Sequence, residues 1–305
     1  MINKLIVRIA EGLGNQLFMY AHSYALSKKI NYQLLIDDSS GYFKKKDICK
    51  FELDKLNISA ETICNKDKFD NHLLNFKRKM LKNIDQFFHL KKFLIEKIGH
   101  NKQTKFYDYN TKNFSNRFYV EGYFESELYF KEHKKDLKKE FTIKNSDTLK
   151  NNKFYNDIAH NDKVVSICVR QNRYSERIGN RYNNSSINKS NNFTRETIQY
   201  INRAVLLCEK KIDNPIFYIW SNDFSGLHEY FNNKKFIFVD NDENKLITDF
   251  YLMNNCKNFI VGPTTFHWWA AWLNYENKKK IIAPKSWFKK NSPAHKYYLP
   301  DWYVI

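Results

Sequence analysis

The sequence predicts an α/β fold made of two Rossmann-like domains that face one cleft. Three observations predict it. Short apolar runs of strand type alternate with helical segments, which implies parallel sheets joined by crossover helices. The alternation begins twice, at residue 4 and again at residue 164, with a poorly patterned stretch from 141 to 160 between. The chain has 305 residues, 42% of them apolar, with only 8 glycines and 5 prolines, enough to bury two cores. The boundary falls at 150/151, giving domains 1–150 and 151–305.

In order, residues 4–9 (KLIVRI) read as a strand, and EGLGNQ (11–16) as a glycine turn. Residues 14–28 then place Leu17, Phe18, Tyr20, Ala21, Tyr24 and Ala25 on one helical face, and QLLID is a second strand. Segment 71–100 is basic and amphipathic, with Leu73, Phe76, Met80, Ile84, Phe87 and Phe88 at helical spacing. Such a helix suits a membrane surface, but the reading taken is a core helix with a solvated basic face. RFYVEGYF is a strand and ELYFKEHKKDLKKEF a helix. The second half opens with VVSICVR (164–170) as a buried strand, followed by a polar stretch and the helix TRETIQYINRAVLLCEKK. PIFYIWSND and FIFVD are strands, LITDFYLMNNC a helix, NFIVG a strand, TFHWWAAWLN a helix and KKIIAP the last strand.

The formal charge is +18, but the lysines are spread along the chain among Asn, Ile and Tyr, so the excess marks no single patch. It points to an anionic partner such as a nucleotide, a nucleic acid or an anionic lipid surface. Cys49, Cys64, Cys168, Cys208 and Cys256 show neither CxxC nor metal-ligand spacing and fit reduced thiols in a cytosol. The N-terminal apolar stretch is too short for a signal h-region. FHWWAAWL (266–273), the most apolar run, is too short to span a membrane. The protein is expected to be cytoplasmic, with peripheral membrane contact at most.

EGLGNQ follows a strand and opens a helix, so its backbone N–H groups and helix dipole can receive an anion. Gly12, Gly14 and Asp37 supply part of a dinucleotide fingerprint, but Leu17 stands where the third glycine belongs. Arg170, Arg173 and Arg177 lie within eight residues at a strand tip, and an arginine's planar fork suits phosphate. WSND (220–223) ends another strand in polar residues. Gly-Pro-Thr-Thr (262–265) starts a helix whose hydroxyls and N–H groups make an anion seat. Trp268, Trp269 and Trp272 read as core, and His267 is left open between a structural and a ligand role. DND (240–242) reads as a helix cap rather than a metal site.

These motifs match a known set in order. EGLGNQLFMYAHSYALS resembles the opening GGLGNQLFQYA of glycosyltransferase family 11, the bacterial and animal α-1,2-fucosyltransferases. LLIDDSSGYF and FELD (51–54) are similar to its next block, and EGYFESELYF to its GYWQSEKYF segment. VVSICVRQNRYSER holds the place of its HxRRGDY motif and WSNDFSGLHEYF that of its SND segment. DFYLMNNCKNFIVGPTTFHWWAAWLN resembles DLxLMSxCKHxIxxNSSFSWWAAWLN. The resemblance spans nearly the whole chain and implies a metal-independent, inverting GT-B enzyme that transfers L-fucose from GDP-fucose in α-1,2 linkage, with no resident cofactor. The N-terminal half would bind the acceptor and the C-terminal half the GDP. By position, Arg170 takes the phosphate-binding role, Asn222, Asp249, Thr264, Thr265 and Phe266 fall on donor-side motifs, and Asn15 lies near the reacting centre. Gly14, in the same turn, lets backbone approach the donor.

The sequence departs from the family at Cys168, which replaces a histidine, and at Gln171, which replaces the second arginine. Asn172 and Arg173 replace Gly-Asp, and His267 replaces a serine. A different GDP-linked deoxy sugar, such as GDP-colitose, is therefore an alternative donor. Inversion needs a proton acceptor, for which Glu11 is the first candidate, followed by Glu176 and Asp38; a departing phosphate oxygen could serve instead. Bacterial surface-polysaccharide or lipopolysaccharide assembly on a lipid-linked glycan is the implied setting. Two readings of other classes remain: an NAD-dependent oxidoreductase, resting on the partial fingerprint and Asp37, and a basic nucleic-acid-binding protein, resting on charge and aromatics.

Overall fold

Leu5, Ile6 and Val7 are buried on both faces of strand β1 (Lys4–Arg8), which therefore begins in the middle of a sheet. The computed structural model describes residues 2–44, 48–96, 114–241, 245–274, 280–285 and 298–305. They fall into two compact units, Met1–Lys144 and Asn145–Ile305.

In the first unit, β1 is followed by α1 (Leu13–Ile30), β2 (Gln33–Asp37), β3 (Glu61–Thr62), α2 (His72–Phe88), β4 (Phe93–Ile95), β5 (Arg117–Glu121) and α3 (Lys134–Glu140). All strands pair in parallel, in the order β3-β2-β1-β5-β4. The sequence reading gave α1 one apolar face, but Leu13, Gly14 and every residue from Gln16 to Ser27 are buried. A helix buried all round is an interior element. It stops at Asn31, in left-handed backbone (φ 57), where the Tyr32 N–H reaches the Ser27 carbonyl at 2.9 Å.

Two expectations in this unit are corrected. Segment 71–100 is not one core helix. α2 ends at Phe88, His89 turns into left-handed backbone (φ 50), and the chain enters β4. The Asp85 carboxylate fixes that turn by accepting the N–H groups of Lys92 (2.7 Å) and Phe93 (3.2 Å). α2 also packs the other way round: Asn75, Arg78 and Asp85 are buried, while Leu73, Phe76, Met80, Ile84, Phe87 and Phe88 are exposed. Periodicity identifies two faces, but it does not say which one finds partners; here Glu121 at the end of β5 takes Arg78 and Lys82 from the polar face. The predicted helix ELYFKEHKKDLKKEF breaks into 3-10 turns at Glu127–Tyr129 and Lys131–His133 before α3.

The second unit runs α4 (Tyr155–His160), β6 (Val164–Val169), α5 (Asn184–Lys211), β7 (Ile216–Ser221), α6 (Leu227–Tyr230), β8 (Phe236–Phe238), α7 (Lys245–Asn255), β9 (Asn258–Ile260), α8 (Thr265–Leu273), β10 (Ile281–Ala283) and β11 (Tyr303–Val304). All strands are parallel in the order β11-β10-β9-β6-β7-β8. Counted within the unit, this is the 3-2-1-4-5-6 order of the doubly wound dinucleotide fold. All six residues of β6 are buried, and Val165, Ile167 and Val169 pack with Ile201 and Ala204 of α5.

α5 begins ten residues before the predicted TRETIQ start, because Asn183 caps it by accepting the Ser186 N–H at 3.0 Å. Its polar first turns hold the loop after β6: Ser190 Oγ accepts the N–H groups of Tyr174 (3.0 Å) and Ser175 (3.1 Å). KKIIAP is not the last strand, since β11 adds a parallel partner to β10. Trp268, Trp269 and Trp272 are buried edge to edge, with centroids 5.0 Å apart from Trp268 to Trp269 and from Trp269 to Trp272. They are core, as read from the sequence. Among the described residues no helix is long and apolar enough to cross a membrane, and no disulfide joins the cysteines.

Candidate active site

In an open parallel sheet a ligand binds beyond the carboxyl ends of the strands, where the strand order reverses. In the second unit that point lies between β6 and β9. The two strands end so close together that a Cβ on Gly262, just past β9, would stand 2.1 Å from the Cys168 carbonyl oxygen. Only glycine fits there. The next residues open α8: the Thr264 hydroxyl accepts the His267 N–H (3.2 Å) and its carbonyl accepts the Trp268 N–H (3.1 Å). The N–H groups of Thr265 and Phe266 point out of the first turn without an intrahelical partner, at the positive end of the helix dipole. Thr264, Thr265 and Phe266 are half-buried, and the Phe266 ring leans on Phe250 at 5.2 Å.

His267 supports this turn from behind. It is fully buried, and its Nδ1 accepts the Gly262 N–H at 3.0 Å, so its proton sits on Nε2 and is donated to Ser166 Oγ at 2.8 Å. Burial pushes its pKa down to about 3, so the ring is neutral. The open question about His267 resolves to a structural role. Cys168 is buried as well, and burial pushes its thiol up to about 12, so it remains neutral beside Thr264. A thiol in that state cannot substitute for a titrating histidine.

Arg170 is the first residue after β6. Half-buried, it donates to the Glu176 carboxylate. The two other arginines diverge from it. Arg173 donates to the Pro263 carbonyl at 3.0 Å and lies 4.9 Å over the Phe193 ring, which ties the loop after β6 to the start of α8, and Arg177 is exposed. Asn222, after β7, uses both ends of its amide on one neighbour: its oxygen accepts the Gln171 N–H (2.9 Å) and its NH2 donates to the Gln171 carbonyl (3.2 Å). Gln171 in turn donates to the carbonyls of Asp223 (2.7 Å) and Ser225 (3.0 Å). Asp249, on α7, is buried and accepts from the Asn241 amide at 2.7 Å; burial pushes its carboxyl up to about 6.

In the first unit the order reverses between β1 and β5. Glu11 follows β1 in left-handed backbone (φ 64), at the position where the resembled motif has glycine. Its carboxylate accepts from the Tyr123 hydroxyl, just past β5, at 3.5 Å. Gly12 opens α1, and a Cβ there would meet nothing within 4 Å, so the turn faces open space. The two amides of the turn have separate jobs. Gln16 is buried and satisfied: it donates to the Glu11 and Lys50 carbonyls (2.8 Å each) and accepts the Glu52 N–H (2.9 Å). Asn15 is half-buried, and its buried Oδ1 has no hydrogen-bond partner among the described residues. Gly14 is buried within the first turn of α1.

The remaining candidates are committed elsewhere. Asp37, the acidic residue of the partial dinucleotide fingerprint, is fully buried and accepts the N–H groups of Ser39 (3.3 Å) and Ser40 (3.0 Å). It is a turn residue, and no ribose can reach it. Asp38 pairs with Lys68 at 2.7 Å. Of DND, Asp242 lies outside the described residues, and Asn241 serves Asp249. Among the described residues no cluster of three or more His, Cys, Asp or Glu side chains could hold a metal ion. The sequence reading passed over the bonds of Arg173 to Pro263, of Gln171 to Asp223 and Ser225 and of His267 to Ser166 because those partners are non-local; only the His267 contact with Gly262 is local.

The family profile described as Glycosyl transferase family 11 matches residues 4–305. An alpha-1,2-colitosyltransferase of Escherichia coli is 30% identical over 295 residues, covering 94% of this chain and 93% of the relative. The O-antigen biosynthesis glycosyltransferase WbnK of Escherichia coli is 26% identical over 301 residues, covering 94% and 95%. Among solved structures, the NodZ alpha-1,6-fucosyltransferase soaked with GDP-fucose superimposes with a TM-score of 0.53 at 12% identity, covering 97% of this chain and 98% of that one. A mutant of Arabidopsis thaliana FUT1 in complex with GDP gives 0.53 at 12%, covering 92% and 70%. At that identity the likeness speaks for the fold alone, of GT-B type, with two α/β units that each hold a parallel sheet. With a profile match from Lys4 to Ile305 and a full-length relative at 30% identity, the chain belongs to glycosyl transferase family 11.

Proposed function

We propose that this glycosyltransferase moves a deoxy sugar from a GDP-linked donor to a glycan hydroxyl, with inversion and in α-1,2 linkage, during synthesis of a bacterial O-antigen. The observation that carries the donor assignment is the β6/β9 switch point, where Arg170 and the Thr264-capped start of α8 supply a cation, hydroxyls and free N–H groups. The relatives named for colitosyl transfer and O-antigen synthesis support the sugar class and setting. The NodZ structure soaked with GDP-fucose supports guanosine diphosphate as the carrier.

In this reading the bond from the anomeric carbon to the β-phosphate oxygen breaks, and GDP leaves with the electron pair. Arg170 and the α8 N–H groups stabilise the charge that builds on the phosphate without calling on a divalent metal. Thr265, Phe266 and Asp249 line the donor side, and Asn222 acts through Gln171 by holding the main chain next to Arg170. The acceptor hydroxyl attacks from the opposite face and gives its proton to Glu11, whose place beside the glycine turn makes it the first candidate base ahead of Glu176 and Asp38. The orphan Asn15 Oδ1 takes a hydroxyl hydrogen bond from a sugar. Colitose is favoured over fucose as the donor sugar by the 30% relative and by the departures at Cys168, Gln171, Asn172 and Arg173.

The test is a thermal-shift panel of GDP, UDP and CMP in EDTA, followed by transfer assays with GDP-fucose and GDP-colitose. GDP alone should raise Tm, and transfer should persist in EDTA. A shift with UDP or CMP instead, or transfer only with added magnesium or manganese, overturns the reading.

A further inference from the structure

α2 is attached to its unit by its charges and presents its apolar residues to solvent. Leu73, Phe76, Met80, Ile84, Phe87 and Phe88 are between 42% (Ile84) and 78% (Phe87) exposed. At 100° per residue they form one stripe along a helix about 25 Å long. The opposite face carries Arg78 and Lys82 on Glu121 and the buried Asp85 on the main chain of Lys92 and Phe93. Leu90 and Ile95, just beyond the helix, are also exposed, at 44% and 37%. A soluble surface rarely shows so long an apolar band without something to cover it.

We infer that this stripe rests on an anionic lipid bilayer, with α2 in the plane of the interface. The charges around it identify the occupant. Lys77 stands inside the stripe, and Lys79 and Lys92 beside it are exposed. Asp85 is the one acidic residue of α2, and it is buried, so the exposed side of the helix carries cations and no carboxylate. A second copy of this chain, packed on the same face, would add the same lysines and bring no counter-charge. A layer of anionic headgroups over hydrocarbon satisfies both parts at once: phosphates meet the lysines, and the Phe, Leu, Ile and Met side chains enter the acyl boundary. This inference does not depend on the donor chemistry.

The test is flotation of the full-length protein with vesicles of phosphatidylcholine alone or mixed with phosphatidylglycerol. The protein should float with the mixed vesicles, progressively less as salt is raised, and stay behind with phosphatidylcholine alone. The triple variant Phe76→Ser, Phe87→Ser, Phe88→Ser should lose at least about tenfold in partitioning. Lys77→Glu with Lys79→Glu should weaken binding to the mixed vesicles. Both variants should keep the wild-type circular dichroism, Tm and GDP-induced shift, because the altered side chains are exposed and lie outside the donor site. Failure of the wild type to float with the mixed vesicles, or undiminished flotation of the triple variant, overturns the inference. So does a lipid-free dimer that the triple variant dissociates, which would make a second copy the occupant.

Discussion

Arg170 leaves β6 with its guanidinium on Glu176, so removing it deletes the donor-side cation and releases one partly exposed carboxylate. Arg170→Ala should lower kcat/KM by about a hundredfold to a thousandfold while leaving Tm close to that of the wild type; near-normal turnover would remove its assigned role. Glu11 can be tested with two substitutions. Glu11→Gln keeps the side-chain shape and the left-handed backbone and should cut kcat by about a hundredfold or more. Glu11→Gly should cut it equally but leave Tm unchanged or higher, because φ 64 costs an L side chain about 1 kcal/mol that glycine does not bear. Full transfer by the Gln variant would rule Glu11 out as base. Asp249 gives a pH test. Burial raises its folded pKa from 3.8 to about 6, so the native state keeps a proton that the unfolded chain releases in that window. Stability therefore falls as pH rises through the window, and the cost, at most about 3 kcal/mol, is fully present above it. Asp249→Asn should raise Tm at about pH 8 and give no gain at about pH 3.5. The positions of Arg170 just past β6 and of Glu11 and Asn15 around the turn into α1 were legible in the sequence, because strand and turn signals meet there. That Gln16 would be spent on carbonyls while Asn15 kept an orphan oxygen was not, because Lys50 and Glu52 lie far along the chain.

Elements were legible where their periodicity matched their burial and misread where it did not. β6 is apolar except for Ser166 and buried throughout, and α8 was recognised from its hydroxyl-rich start. α5 was begun too late because its first turns serve a hydrogen-bonded loop through Ser190 instead of an apolar core. α2 was given the wrong inner face because Glu121, the residue that draws in Arg78 and Lys82, arrives from a strand about forty residues later. The close approach of β6 and the turn after β9 yields a contrast between two glycines. Gly262→Ala drives a Cβ into the Cys168 carbonyl and should cost several kcal/mol or prevent soluble folding. Gly12→Ala, which meets nothing and has an ordinary φ of −76, should cost less than about 1 kcal/mol. Urea denaturation followed by circular dichroism measures both, and equal losses would show that the β6/β9 contact is looser than described.

For the whole molecule, the restart of the strand pattern at 164 was enough to read two α/β units, but not the order of strands in either sheet. That order depends on which edges meet, and it alone places the switch point between β6 and β9 in one unit and between β1 and β5 in the other. If GDP binds the native second unit, ligand at about a hundred times Kd should add about 2.7 kcal/mol to that unit's stability. The packed indoles of α8 make this readable without a label. All six tryptophans of the chain lie beyond residue 144, so emission excited on the red edge of the indole band, where tyrosine does not absorb, arises from the second unit and not from the first. A melt followed by indole fluorescence, set beside one followed by backbone ellipticity, thus separates events in the two halves of an unmodified chain.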